Sequence, residues 1–248
     1  MTKKTKDYVI DLKDLLDAGC HFGHQSRRWN PKMKEYIFQK RGGVHIFDLE
    51  ITAKKLKEAM EFVRDLTAKG KIIVFVGSKR QAAAIVKEEA EKCGIPYVAE
   101  RWLGGTITNW DEIKKRIDRL MDLEEKKKAG ELKKYTKKEN VLITREIEKL
   151  KRFFGGLVKL KGKPDALFIV DVRKEIAAVK EARRKEIPVV GMVDSNADPD
   201  MIDYVIPVND DAVRSIKLIV SRLAEAVNDG MGLKGKVPVK KEDKKKKE

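Results

Sequence analysis

Apolar residues recur along this chain with two different periods, and each change of period marks an element. The stretch IDLKDLLDAG, residues 10–19, has helical spacing, with Asp11 placed to cap it and Gly19 to end it. Residues 20–41 follow neither period; their mixture of Gly, Arg, aromatic and Pro residues reads as an ordered loop, or as one ordered by RNA. A short apolar strand is predicted at 44–48, and from Thr52 the residues Leu56, Ala59, Met60, Val63 and Leu66 return to helical spacing. The run IIVFV at 72–76 has no polar alternation, which is the pattern of a strand buried on both faces. Gly77 and Ser78 open a helix that runs to about Cys93 and closes at Gly94, and 97–99 is the next strand. The alternation resumes with a strand at 166–171, a helix at 176–187, strands at 189–193 and 204–207, and a helix at 211–228. Strand, helix, strand in this order specifies an α/β fold, a parallel sheet covered on both faces.

Between the two halves the pattern is different. Trp110, Ile113, Ile117 and Leu120 recur at steps of three and four, and after Gly130 so do Ile143, Ile147, Leu150, Phe154 and Leu157. Two helices folded back on each other as a coiled-coil hairpin satisfy this spacing, and two amphipathic helices lying on the sheet satisfy it as well. As a hairpin, helices of about 20 residues would extend ~30 Å and carry the lysine-dense turn EEKKKAGELKKYTKK beyond the body. From Met231 the periodicity stops, and the tail is expected to be disordered when free. The organisation expected is a basic N-terminal helix and loop (1–41), a discontinuous α/β domain (42–108 and 164–230), a hairpin (109–163) and a lysine-rich tail (231–248).

Charge sharpens this division. The net charge is +16, a self-repelling balance that suits a polyanionic partner. Lys and Arg exceed Asp and Glu by 5 over residues 1–41, by 2 over 42–110, by 8 over 111–163 and by 5 over 234–248, while 164–233 is acidic by 4. The excess therefore sits on the N-terminal segment, the middle block and the tail, as expected for several contacts with one large polyanion. Two cysteines without disulfide spacing, no apolar run near the ~20 residues that span a bilayer and no apolar leader region predict a cytoplasmic protein.

Candidate chemistry is sparse. Gly77-Ser78-Lys79-Arg80 joins a strand to a helix where α/β folds bind phosphate, yet neither GxxxxGK[ST] nor GxGxxG occurs, so a plain turn is the first reading. Cys20-His21-Phe22-Gly23-His24 offers imidazole and thiolate ligands, with His45 the remaining histidine; packing and RNA contact account for them without a metal. Asp194, Ser195, Asp198 and Asp200 follow a strand end, where turn and capping duty explains DSNADPD without catalysis. An enzyme or sensor binding a sugar phosphate or nucleotide at Gly77–Arg80 and Asp194–Asp200 is the competing function; no catalytic residue, metal or cofactor is assigned. The segment Arg27-Arg28-Trp29-Asn30-Pro31-Lys32-Met33-Lys34 combines cations with an aromatic, which suits RNA, although Trp29 can equally be a core anchor. The candidate RNA-binding residues are Arg27, Arg28, Trp29, Lys32, Lys34 and Arg41, with Lys126, Lys127, Lys128, Lys133 and Lys134 at the turn between the two helices.

GCHFGHQSRRWNPKM, RWLGGTITNW, DALFIVD, VVGMVDSNADPDMIDYVIPVNDDAVRSI and the lysine-rich tail together resemble the bacterial small-subunit ribosomal protein S-two family, in order across residues 8–230. Cys20 departs from it, since the family more often has a small or β-branched apolar residue there. The resemblance implies a flavodoxin-like parallel sheet with helices on both faces, plus an inserted α-helical coiled-coil hairpin. It also implies a structural constituent of the small ribosomal subunit that binds 16S ribosomal RNA, contacts neighbouring ribosomal proteins and helps dock ribosomal protein S-one.

Overall fold

A computed structural model describes residues 7–134 and 136–233. Helix α1 (Leu12–Asp17) begins where the Asp11 carboxylate accepts the Lys13 N–H at 2.8 Å and is left behind at Gly19, whose φ is +74°. The segment expected to be an aperiodic loop then forms β1 (Phe22–Gln25), two short 3-10 turns and β2 (Ile37–Arg41), which pair with β3 (Val44–Phe47) in a three-stranded antiparallel sheet of order β1-β3-β2. Sequence periodicity misses β2 because residues 38–41 are all exposed, so no apolar side alternates with a polar one. Gly42 and Gly43, with φ of +58° and +78°, close β2 onto β3 as the two-residue turn that right-twisted hairpins favour.

The body follows. Helix α2 (Leu49–Ala68), capped by Asp48, leads to β4 (Ile73–Val76), α3 (Arg80–Cys93), β5 (Tyr97–Val98), α4 (Trp110–Lys128), α5 (Lys137–Phe154), β6 (Ala166–Ile169), α6 (Ile176–Arg184), β7 (Val189–Val193), β8 (Tyr204–Pro207) and α7 (Val213–Leu233). The five strands from β4 onward are parallel in the order β5-β4-β6-β7-β8, which is 2-1-3-4-5 when they are counted alone, the flavodoxin-like arrangement. Period-two alternation along β4 sends Ile73 and Phe75 to a core shared with α2, α3 and α7, and Val74 and Val76 to a second core shared with α4, α5 and α6. Both faces are apolar, hence the unbroken IVFV run.

Ile113, Ile117, Leu120 and Leu123 of α4 and Ile147, Leu150 and Phe154 of α5 are buried in that second core, continuous with the sheet. The Thr136 hydroxyl and the Glu139 carboxylate cap each other's backbone N–H and start α5. The sequence places the end of the last helix near 228 and a tail from 231, but α7 runs to Leu233 and the rest of the tail lies outside the described residues. Gly230 lies within α7, and a Cβ on it would collide with the Thr67 hydroxyl and the Arg64 carbonyl, so its absence lets α7 lie against α2.

One carboxylate pins the connection from β5 to α4. Glu181 on α6 accepts hydrogen bonds from Trp102 Nε1 at 3.1 Å, from the backbone N–H of Gly105 (2.7 Å), Ile107 (3.0 Å) and Thr108 (3.1 Å), and from the Thr108 hydroxyl at 3.1 Å. Burial pulls its pKa upward, and these bonds outweigh burial and hold it below the ordinary carboxylate value. Glu181→Ala should therefore cost roughly 2–4 kcal/mol in urea unfolding, since it strands several inward-facing donors. A folded pKa depressed below the unfolded ~4.3 gives stability that is complete above about pH 5 and lost as pH falls through the folded value. The deficit of the variant should narrow along that descent; a deficit independent of pH between 6 and 3 would refute the assignment.

Candidate RNA interface

The outer β1-β3-β2 sheet is docked where the parallel strands end. The backbone N–H of His24 donates to Ser195 Oγ at 2.8 Å, and Asn30 N–H donates to the Ser195 carbonyl at 2.7 Å. Asn209 closes the contact by donating its backbone N–H to the Cys20 carbonyl (3.1 Å) and its side-chain amide to Gly19 O (3.1 Å). His24 places Nδ1 3.0 Å from Asp194 Oδ1 and Nε2 3.4 Å from Asp211 Oδ2. Lys79, following β4, lies 2.7 Å from Asp210, 2.6 Å from Asp211 and 3.2 Å from Asp171. The strand-end loops thus present four carboxylates, met by one ammonium and one imidazole.

The protonation of this cluster follows from its burial. Asp210 is driven up by desolvation and by the charges of Asp194 and Asp171, against the pull of Lys79. Burial opposes the charge on Lys79, yet Asp210, Asp211 and Asp171 together raise its pKa. His24 is raised chiefly by its hydrogen bond to Asp194. His24, Asp194 and Asp210 form the described residues' one group with ligand atoms mutually within 4.8 Å, and its positive charge comes from Lys79 and the imidazole. Cys20 and His21 stand outside that group: Cys20 is fully buried and its thiol is pushed up to about 11 by desolvation. The turn at Gly77–Arg80 is also satisfied internally, for the buried Glu175 carboxylate accepts from both the backbone N–H and the hydroxyl of Ser78. A protein carboxylate thereby stands where a bound phosphate would.

The expected RNA-binding residues divide into two groups. Arg27, Arg28, Lys34 and Arg41 are exposed on the outer sheet and its turns, with no ion pair among the described residues; Lys40, absent from the expected set, joins them. Lys32 is committed to the body instead, with Asp198 at 2.9 Å and Asp200 at 2.5 Å, which gives those two aspartates a docking role. Trp29 is half-buried and stacks on buried His45, with centroids 4.7 Å apart and planes inclined by 18°. Near the turn between α4 and α5, Lys127, Lys128 and Lys134 are exposed, while Lys126 pairs with Asp122 at 2.8 Å; Lys133 lies in the short 3-10 turn 131–134. Pairs such as Arg119–Glu146 (3.3 Å) and Lys151–Glu124 (3.2 Å) neutralise the helix shafts. Sequence reading missed Asp171, Asp210 and Asp211 as partners of Lys79; the acidic pair directly after the last strand was the available signal.

A raised folded pKa means that His24 contributes stability fully below the unfolded value of about 6.5, and that the contribution is lost as pH rises through the folded pKa. In metal-free protein the His24 ring should titrate above 6.5 by NMR, and Asp194→Asn should bring it down. An unchanged titration in Asp194→Asn would show that the ring is not held by this carboxylate.

The sequence matches the family model described as Ribosomal protein S2 over residues 15–230.

Proposed function

Since the chain belongs to the ribosomal protein S2 family, it is a structural protein of the small ribosomal subunit, and we propose that its outer sheet and hairpin turn grip 16S ribosomal RNA within it. The observation that carries this reading is the pairing pattern: the strand-end cations are consumed inside the protein, whereas Arg27, Arg28, Lys34, Lys40 and Arg41 project without counter-charges. Cations of that kind release condensed counterions when they meet phosphate and fix orientation without reading sequence. Lys127, Lys128 and Lys134, with Lys126 and Lys133 beside them, form a second contact at the hairpin turn, and the coiled-coil hairpin is the arm that carries it.

The competing reading, a sugar-phosphate or nucleotide site at the strand ends, has its polar groups already occupied by Lys79, His24 and Glu175. The body is proposed to help dock ribosomal protein S-one. Support comes from the family resemblance and from the acid excess of residues 164–233, which makes that half a poor surface for phosphate and a free one for a protein. Ribosomal placement makes the chain cytoplasmic, without catalysis or cofactor in this reading.

Rebinding to small subunits washed free of the chain, measured against salt, tests the RNA contact. Replacing Arg27, Arg28, Lys34 and Arg41 together with Gln should flatten the log–log slope by up to about 0.9 per residue for duplex contacts, or about 0.7 for single strands. Lys32→Gln should change the slope less, because Lys32 is spoken for by Asp198 and Asp200. Replacing Lys126, Lys127, Lys128, Lys133 and Lys134 with Gln tests the second contact, and an unaltered slope and occupancy would remove it.

A further inference from the structure

The acid excess of residues 164–233 conceals a helix face of the opposite sign. Six of the nine Lys and Arg residues in that half fall within residues 173–185, which hold only two acids, Glu175 and Glu181. Both acids are committed inside the protein: Glu175 is 3% exposed and accepts from Ser78, and Glu181 holds the loop before α4. Of the cations, Lys174 donates to the Ser78 carbonyl at 2.9 Å and Arg183 lies 3.6 Å from Asp203. Arg173, Lys180, Arg184 and Lys185 are exposed and have no ion pair among the described residues. Glu186, in the turn beyond α6, is the one exposed carboxylate next to them in sequence.

Helix stability does not account for this arrangement. A cation in the last turn, such as Arg184, complements the helix dipole, but Lys180 lies in mid-helix and Arg173 precedes the N-terminus, where the dipole disfavours positive charge. Lys180 and Arg184, four residues apart, share one face at about 6 Å along the axis, and exposed Ala177 lies one turn before Lys180. The inner face of α6, with Ala178, Val179 and Ala182, is buried in the core that also holds Trp110 and Ile113 of α4, so the basic face lies on the side of the sheet from which the hairpin springs. Glu181 fixes it there through Trp102, Gly105, Ile107 and Thr108, just ahead of α4. A protein partner would need an apolar anchor; between residues 159 and 212 the one large apolar side chain left exposed is Ile176, at 36%. Cations on a face with so little apolar surface suit phosphates, which they neutralise without reading sequence.

We propose that the exposed face of α6, carrying Arg173, Lys180, Arg184 and Lys185, is a third contact with ribosomal RNA phosphates, separate from the outer sheet and the hairpin turn. This rests on the RNA-binding reading and adds to it a surface in the half of the chain whose overall charge argues against one. Taking residues 173–185 out leaves the remainder of that half with three cations against eleven acids, so a protein neighbour docked on the body keeps its acidic surface.

The test uses the full-length chain and small subunits stripped of it. Replacing Arg173, Lys180, Arg184 and Lys185 together with Gln should flatten the log–log dependence of rebinding on salt by up to about 3.6 in total for duplex contacts, or about 2.8 for single strands. The melting temperature should change little, as for exposed side chains that pack on nothing. Lys180→Arg with Lys185→Arg, which keeps the charge, should leave the slope at the wild-type value. A photo-cross-linking benzoylphenylalanine at Ala177 should join the chain to an rRNA nucleotide in assembled subunits. A wild-type slope in the fourfold Gln variant, or a cross-link only to another protein, overturns the α6 contact alone. Wild-type chain that rebinds with no salt dependence overturns the RNA-binding reading and takes this inference with it.

Discussion

Four carboxylates converge where the parallel strands end, and the placement of the outer sheet depends on how they are neutralised. Asp194 and Asp210 are almost wholly buried, and burying like charges together is costly in a medium that screens poorly. Lys79 comes from the sheet's own connection and answers Asp171, Asp210 and Asp211. Asp194 is answered from far away in sequence by His24, and the same residue's backbone N–H meets Ser195 next to it. The electrostatic need of the strand ends and the mechanical need of the N-terminal segment for an anchor are therefore met by one contact. Lys32 with Asp198 and Asp200 repeats the device at the surface, where such pairs contribute little energy but still set orientation.

That arrangement explains how a fold with a ready-made crevice at its strand ends serves a structural role. In open α/β sheets the C-terminal edge is where ligands collect. Here the turn at Ser78 that leads into α3 faces Glu175, the acidic loops face Lys79, and the N-terminal β-sheet is held to Ser195 through the backbone N–H groups of His24 and Asn30. The edge has become an internal joint. Its outward product is a basic surface, because the hairpin turn at Gly42–Gly43, the 3-10 turns and β2 are all attached to that joint.

Much of the body could be read directly from the sequence, and the parts that could not share a cause. The IVFV run, the Asp11 and Asp48 caps and the Gly94 stop are local signals, and each element they mark is present. Strand β2 was invisible because both of its faces are wet and one residue is bulged, which destroys the alternation on which strand reading relies. The role of Gly230 has no local signal, because only the neighbouring helix shows why no Cβ fits there. For the site, residue types were legible and their partners were not. Arg27, Arg28, Lys32 and Lys34 form one basic run in sequence, yet Lys32 alone of these four is held by carboxylates, and those lie on the far half of the chain. Net charge by segment locates cations; only the fold says which of them remain unspent.

The two groups of unspent cations also belong to one body. Buried side chains run from the sheet face through Trp110 and Ile113 into the packing of α4 against α5, so these two helices share one core with the sheet. In the proposed interface, the outer sheet and the hairpin turn therefore meet phosphates at a separation the protein sets. Contacts made from a rigid frame reinforce each other, since the second binds at the effective concentration imposed by the first. Only an RNA whose folded backbone offers phosphates at that same spacing gains both. Selectivity for one folded RNA can then come from shape, with side chains that read no base edges.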